Sequence, residues 1–149
     1  MSGFRVIGID LGSKRVGVAI CDAGQLVATP YETIERVDNR PREHERLAAI
    51  IDETGAELIV VGLPLSLDGT LGPAARAVLS EVKSMRKNLD MRVETHDERM
   101  TTVEAERSQQ KMNLRSKRKR QTIDQLAATI ILQSWLDSRR KNPSETESQ

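Results

Sequence analysis

The chain has 149 residues, of which 38% are hydrophobic, and this size and composition are typical of a single globular domain. A net charge of +1, from 23 basic and 22 acidic residues, indicates by itself neither a nucleic-acid nor a membrane partner. The single cysteine excludes a disulfide within the chain. Neither a signal peptide nor an apolar run of about twenty residues is visible, so we expect a cytoplasmic protein with no membrane partner.

The first part of the chain predicts three short strands joined by tight turns. Two apolar runs, Phe4 to Leu11 and Val16 to Cys21, flank a turn at Gly12 to Arg15. A third strand is predicted over Gln25 to Thr29, after a turn at Asp22 to Gly24. Strands connected this closely form an antiparallel meander.

The rest of the chain alternates between helical and strand patterns, with proline near helix starts and glycine just past a helix end. The predicted elements are a helix over Pro41–Thr54, a strand over Leu58–Leu63, a helix over Pro73–Leu89, a strand over Met91–Thr95, a helix over Thr101–Lys111 and a last helix from about Thr122 to Asp137. This order predicts an α/β fold: a five-stranded mixed sheet, with a three-stranded antiparallel meander plus two parallel strands, and helices on both faces. We expect residues 1–138 to form the domain and residues 139–149 to form a disordered polar tail.

Acidic residues occur at two predicted strand ends and at one predicted helix start. Asp10 ends the first strand, Asp97 and Glu98 follow the fifth, and Asp124 lies in the first turn of the last helix. Each has an ordinary interpretation, because aspartate often binds turn amides and the helix dipole favours an acid at a helix start. Together these carboxylates offer the oxygen ligands that Mg²⁺ prefers, and Mg²⁺ can drive phosphodiester cleavage. His96, beside Asp97, is expected at the surface.

Four blocks in this order carry a further signal: Gly8–Ala19, Val61–Leu65 with Asp68–Thr70, Asp97–Ala105, and Ile123–Asp124 leading into Ala127–Leu132. Together they resemble the YqgF-type family, whose members are described as pre-16S rRNA nucleases or as Holliday-junction-resolvase-like proteins. The resemblance implies an RNase H-like fold. It also implies that Asp10, Glu98 and Asp124 are the catalytic acids, that they hold Mg²⁺ or Mn²⁺, and that hydrolysis leaves 5′-phosphate and 3′-hydroxyl ends.

Basic residues near these acids are candidates for contacts with nucleic-acid phosphates. The candidate residues are Lys14, Arg15 and Arg99, together with the basic run of Arg115, Lys117, Arg118, Lys119 and Arg120. Such contacts give sequence-independent affinity that falls with salt. Only three residues are aromatic, so base stacking is not the expected binding mode. The loop containing Asp68-Gly69-Thr70 either offers backbone amides to a phosphate or forms an ordinary turn.

The motifs leave four functions open. The first is a metal-dependent endonuclease that processes the 5′ end of pre-16S rRNA, a structured RNA, during ribosome biogenesis. The second is a Holliday junction resolvase, whose two coordinated cuts in a four-way DNA junction require a homodimer, whereas RNA cleavage is compatible with a monomer. The third is a non-catalytic RNA-binding assembly factor. The fourth is a nucleotide-binding protein, because Gly8–Ser13 also resembles the phosphate loop of actin-like ATPases, which enclose ATP between two lobes.

Overall fold

The computed structural model describes residues 4–36, 39–100 and 117–141. The strands are β1 (Arg5–Leu11), β2 (Arg15–Cys21), β3 (Ala28–Glu35), β4 (Ala56–Leu63) and β5 (Arg92–Asp97). The helices are α1 (Arg40–Thr54), α2 (Pro73–Leu89), a short 3₁₀ helix (Glu98–Met100) and α3 (Lys117–Lys141). Within the described ranges, no helix is both long and apolar enough to cross a membrane.

All five strands belong to one mixed sheet in the order β3-β2-β1-β4-β5. The first three strands form an antiparallel meander, whereas β4 runs parallel to β1 and β5 runs parallel to β4. Helices α1 and α2 pack on one face of the sheet, and α3 packs on the other. The predicted α/β fold, with a five-stranded mixed sheet and helices on both faces, is therefore confirmed.

The predicted position of the third strand is wrong, because β3 covers Ala28–Glu35 and not Gln25–Thr29. The carboxylate of Asp22 accepts hydrogen bonds from two later amides of the turn, at 2.9 and 3.2 Å. These bonds, together with a φ of 57° at Gln25, extend the turn beyond the predicted start of the strand. Pro30 is tolerated inside β3 because this strand is an edge of the sheet.

The ends of α1 and α2 follow the capping signals in the sequence. Asn39 caps α1 by accepting a hydrogen bond from the amide of Arg42 at 3.2 Å. Gly55 ends the helix with a φ of 72°, a conformation that glycine adopts readily. Helix α2 covers the predicted residues Pro73–Leu89.

The last helix is longer than predicted. It starts at Lys117, before the expected start near Thr122, and continues to Lys141. Residues 139–141, which the sequence assigned to the tail, are therefore helical. The predicted helix Thr101–Lys111 and the tail residues 142–149 lie outside the described residues.

Each face of the sheet has its own apolar core, because successive residues of a strand point to opposite faces. In β1, Ile7 and Ile9 belong to the core under α1 and α2, whereas Val6 belongs to the core under α3. The α3 core is closed by fully buried helix residues such as Ile131 and Leu132. This packing fixes α3 against the strands that carry the candidate acids.

Glycine residues on three adjacent strands let α3 lie close to the sheet. Cβ atoms on Gly8 and Gly62 would each lie 2.6 Å from a side-chain atom of α3. A Cβ atom on Gly17 would lie only 2.0 Å from the carbonyl oxygen of Asp124. Because these positions lack side chains, the backbone of α3 reaches the backbone of β2.

Replacing Gly17 by alanine is expected to destabilise the fold, because the new methyl group would overlap helix backbone. Overpacking of this kind costs about 1–3 kcal/mol, and each kcal/mol lowers Tm by about 2–4 °C in a domain of this size. Gly24→Ala is the matched control, since its Cβ would meet only side-chain atoms at ordinary contact distances, Oδ2 of Asp22 at 3.4 Å and Cγ of Leu26 at 4.0 Å. Chemical denaturation followed by circular dichroism measures both variants. Equal free energies of unfolding would contradict the close packing of α3 on β2.

Candidate active site

Asp10 lies near the carboxyl end of β1, the central strand of the sheet. Val6 and Gly8 point towards α3, so the alternation of the strand places Asp10 on the same face. The residue is 4% exposed, and its partner in β2 is Gly17. A buried acid on a rigid central strand is thus held on the side of the sheet that α3 covers.

Asp124 reaches the same end of the sheet from α3. Its carbonyl oxygen lies over Gly17, and its carboxylate accepts a hydrogen bond from Nε of Arg15 at 2.6 Å. Both side chains are largely buried, with exposed fractions of 16% for Arg15 and 11% for Asp124. The guanidinium of Arg15 therefore offsets the negative charge of Asp124 where little water can do so.

Glu98 approaches this end of the sheet from the side of β5. It is the first residue of the 3₁₀ helix and is 8% exposed. Its Oε1 atom lies 2.7 Å from the position that a Cβ atom of Gly62 would take. Gly62 follows Val61, which is the β4 partner of Ile9, and so Gly62 lies level with Asp10. The Glu98 side chain therefore covers the end of the strand next to Asp10.

The structure thus brings the three predicted acids to one end of the sheet, over three adjacent strands. Glu98 covers β4, Asp10 lies on β1, and Asp124 lies over β2. Carboxylate oxygens of this kind are suitable ligands for Mg²⁺ or Mn²⁺. Across residues 4–36, 39–100 and 117–141, no group of three His, Cys, Asp or Glu side chains is arranged to hold a metal ion. The carboxylate oxygens are donors of the kind that divalent cations bind. In this structure the carboxylate of Asp124 contacts the guanidinium of Arg15.

Asp97 and Glu98 are adjacent in sequence but have different surroundings. The carboxylate of Asp97 accepts hydrogen bonds from the amide and the guanidinium of Arg99, at 2.7 to 3.1 Å. The hydrogen bonds from the Arg99 side chain hold the pKa of Asp97 below its usual range. Nη1 of Arg99 also donates to the carbonyl oxygen of Leu67, at 3.2 Å. Asp97 therefore has a structural partner, and Arg99 joins the end of β5 to the loop before α2.

The structure describes the other predicted nucleic-acid contacts to different extents. Lys14 is exposed on the β1–β2 turn, and the Arg99 side chain is 38% exposed although it contacts Asp97. Arg115 lies outside the described residues. Lys117, Arg118, Lys119 and Arg120 lie in the first turns of α3, but their side chains are not among the described ones.

The loop between β4 and α2 uses its amides within the loop. The amide of Ser66 donates to the carbonyl oxygen of Thr70 at 3.1 Å, and the amide of Gly69 donates to that of Ser66 at 2.8 Å. The amide and hydroxyl of Thr70 both donate to Oδ1 of Asp68, at 3.0 and 2.7 Å. These contacts favour the ordinary turn interpretation of Asp68-Gly69-Thr70 over a phosphate-binding loop.

His96 is a neighbour of the site that the sequence interpretation placed wrongly at the surface. The residue is partly buried, and its Nε2 atom lies 2.9 Å from Oγ of Ser134 in α3. Burial lowers the pKa of its imidazole, so the neutral ring is favoured. The strand alternation that starts from buried Val93 places His96 on the α3 face, and this signal was available in the sequence.

Breaking the Arg15–Asp124 pair is expected to destabilise the chain more than breaking an exposed pair. Arg15→Gln leaves the Asp124 carboxylate buried without its cation, at a cost of about 3 kcal/mol. The double variant Arg15→Gln/Asp124→Asn removes both charges and is expected to recover most of this loss. Arg92→Gln is the control, because Arg92 is 73% exposed and its pair with Glu94 is worth little. Urea denaturation measures the four proteins, and equal losses for Arg15→Gln and Arg92→Gln would contradict the pairing.

Proteins of similar sequence identify the family of this chain. Residues 4–138 match the model of the RuvX family, which is described as "Holliday junction resolvase". A Crocosphaera subtropica protein named "Putative pre-16S rRNA nuclease" is 43% identical over 140 residues, which cover 94% of this chain and 97% of that protein. A protein of the same name from Desulforudis audaxviator is 40% identical over 136 residues, which cover 91% and 96% of the two chains.

Among solved structures, the fold is similar to that of RuvC from T. thermophilus in complex with a Holliday junction substrate. The TM-score is 0.57 and the identity 16%, with coverage of 92% of this chain and 96% of RuvC. A second T. thermophilus RuvC structure gives a TM-score of 0.55 at 15% identity, with coverage of 92% and 96%. At this identity the likeness concerns the fold, which is RNase H-like as expected.

Proposed function

The chain belongs to the RuvX family, and we propose that it is a metal-dependent endonuclease that hydrolyses phosphodiester bonds of pre-16S rRNA in the cytoplasm. The observation that supports this function most directly is the set of buried carboxylates at one end of the sheet, where Asp10 lies between Glu98 and Asp124. The names of relatives at 40–43% identity favour RNA as the substrate.

In this proposal Asp10, Glu98 and Asp124 hold one or more Mg²⁺ or Mn²⁺ ions. When bound, such an ion activates a water molecule and stabilises the leaving oxygen of a phosphodiester. Asp10 contributes its ligand from the rigid central strand, and Glu98 and Asp124 contribute theirs from the two sides. If Asp124 served as a ligand of such an ion, Arg15 would lose its carboxylate partner and would be available to a substrate phosphate.

Nucleic-acid binding in this proposal depends on the phosphate backbone. Lys14 and Arg99 lie beside the acids in the sequence, and the basic run at 115–120 adds positive charge at the start of α3. We therefore expect affinity for RNA that decreases steeply with salt. Trp135 is 6% exposed, and the hydroxyl of Tyr31 donates to Glu53 of α1, on the face of the sheet opposite Asp10, so neither ring is placed as a stacking platform beside the acids.

Asp10→Asn is expected to abolish cleavage while leaving the fold and RNA affinity intact, since it removes one ligand charge without changing side-chain size. The loss of activity should be at least about a hundredfold, the scale of removing one group that stabilises transition-state charge. Purified protein with Mg²⁺ is incubated with a 5′-extended 16S rRNA precursor, and the products are mapped by sequencing. Asp52→Asn, at an exposed position of α1, is the matched control. Cleavage by Asp10→Asn at the wild-type rate would rule out this site.

A four-way DNA junction is assayed in parallel, because the family description favours a junction as the second candidate substrate. RNA cleavage that is lost in Asp10→Asn supports the ribosomal role. Paired symmetric cuts in the junction alone, made by a dimer in solution, would replace that role with junction resolution. RNA binding without cleavage of either substrate would indicate a non-catalytic assembly factor.

Metal removal provides a test that does not depend on the substrate. Saturating Mn²⁺ at about 100 times its Kd is expected to stabilise the wild-type protein by about 2.7 kcal/mol, because the ion binds only the folded chain. EDTA should reverse this stabilisation and abolish cleavage. Asp10→Asn should show little stabilisation, whereas Asp52→Asn should respond like the wild type. An Mn²⁺ response of Asp10→Asn equal to that of the wild type would place the ion elsewhere.

A further inference from the structure

Arg36 is a buried residue outside the acidic site that contacts three other parts of the chain. It follows β3 directly, and its side chain is 7% exposed. Nη1 donates to the carbonyl oxygen of Gly12 at 2.6 Å, and the backbone amide donates to the carbonyl oxygen of Lys14 at 3.0 Å. Nε donates to Glu43 of α1 at 3.2 Å, and Nη2 donates to Glu81 of α2. The Arg36 side chain therefore connects the β1–β2 turn to α1 and α2, which cover the face of the sheet opposite α3.

The charges around Arg36 are balanced. Arg40 contacts Glu43 at 3.1 Å and Glu81 at 3.3 Å, so two arginines share two glutamates. Glu43 is 5% exposed, and such a buried cluster is weak grounds for extra stability, because apolar side chains fill the same volume at lower desolvation cost. The cluster fixes the direction of the Arg36 guanidinium, and one of its nitrogens is directed at the turn.

The β1–β2 turn leads directly to the candidate acids. The amide of Gly12 donates to the carbonyl oxygen of Asp10 at 3.2 Å and to that of Arg15 at 3.0 Å. A Cβ atom on Gly12 would lie 2.6 Å from the Arg15 carbonyl oxygen, so the turn is closed tightly. Arg15 in turn holds the carboxylate of Asp124. The amide of Gly12 thus contacts the backbone of Asp10 and Arg15, and the carbonyl oxygen of Gly12 contacts Arg36.

We propose that Arg36 is a positioning residue for the nuclease reaction, which rests on the proposed function. By holding the Gly12 carbonyl, Arg36 sets the β1–β2 turn, and the turn sets the place of Asp10 and of the Arg15–Asp124 pair. Arg36 contacts no reacting atom in this role. Displacements of about 1 Å at reacting groups can lower a rate by about a hundredfold, so a change at Arg36 is expected to act on the chemical step.

Arg36→Lys tests this role, because it keeps the positive charge but loses the planar fork that contacts Gly12 and the glutamates together. We expect kcat for RNA cleavage to fall by about 10- to 100-fold, with KM within twofold of the wild type. Hydrogen exchange followed by NMR is the second readout. The Gly12 amide should exchange about tenfold faster, which corresponds to the loss of roughly one hydrogen bond from the turn.

The chain offers a matched control in Arg46, which also lies between two glutamates. Nε of Arg46 donates to Glu32 at 2.7 Å and Nη1 donates to Glu53 at 3.2 Å, and none of these contacts involves the β1–β2 turn. Arg46→Lys is therefore expected to leave kcat and the Gly12 exchange rate at wild-type values. If Arg36→Lys does not fold, Glu81→Gln loosens the same guanidinium and should change both readouts in the same direction.

The outcomes separate the two proposals. A fall in kcat with faster Gly12 exchange in Arg36→Lys, absent in Arg46→Lys, supports the positioning role. Equal kcat in the two lysine variants, or a change confined to KM, overturns it. A wild-type protein that cleaves no RNA overturns the proposed function, and the Gly12 exchange rate alone then decides whether Arg36 sets the turn.

Discussion

The close contact between α3 and the sheet is the constraint on which the rest of the site depends. An aspartate carboxylate lies only two bonds from its Cα atom, so Asp10 and Asp124 can share a site only where strand and helix backbones nearly touch. Gly17 provides that contact on β2, and Gly8 and Gly62 extend it to the neighbouring strands. A glycine inside a strand costs about 0.5–1 kcal/mol. The contact is sustained because each large apolar side chain buried under α3 contributes about 1.5–3 kcal/mol.

The two faces of the sheet differ in the residues that they bury. Under α1 and α2 the strands contribute a continuous apolar core that includes Ile9 and Val61. Under α3 the sheet is apolar at one end, whereas Asp10 of β1 and Glu98 of the 3₁₀ helix are buried at the other end. Burial of ionised carboxylates lowers stability unless cations or hydrogen bonds compensate it, and Arg15 does so at Asp124. Buried acids at one end of an otherwise apolar face are typical of functional rather than purely structural positions.

The sequence predicts most of the fold because its signals are local. Buried runs mark β1, β2 and β4, and proline and glycine mark the ends of α1. The prediction fails at β3 for two reasons. The Asp22 side chain binds backbone amides and lengthens the turn before the strand, and a proline, which the edge position tolerates, interrupts the strand pattern. For the site, the family motifs select Asp10, Glu98 and Asp124, and their catalytic role stays a prediction. The Arg15–Asp124 contact joins residues 109 positions apart, so no local pattern could indicate it.

Arginine side chains connect the parts of this site, and their geometry explains why lysine would not serve equally well. Arg15 joins β2 to α3, Arg99 joins β5 to the loop before α2, and Arg36 joins the β1–β2 turn to both helices of the other face. Each contact needs donors in fixed directions, which a planar guanidinium has and a flexible ammonium lacks. Because these guanidinium groups already contact protein groups, less positive charge is free at the site than the number of arginines suggests. A nucleic acid must therefore either draw these arginines away from their protein partners or bind exposed side chains such as that of Lys14. In the first case, substrate binding is linked to the positions of the candidate acids.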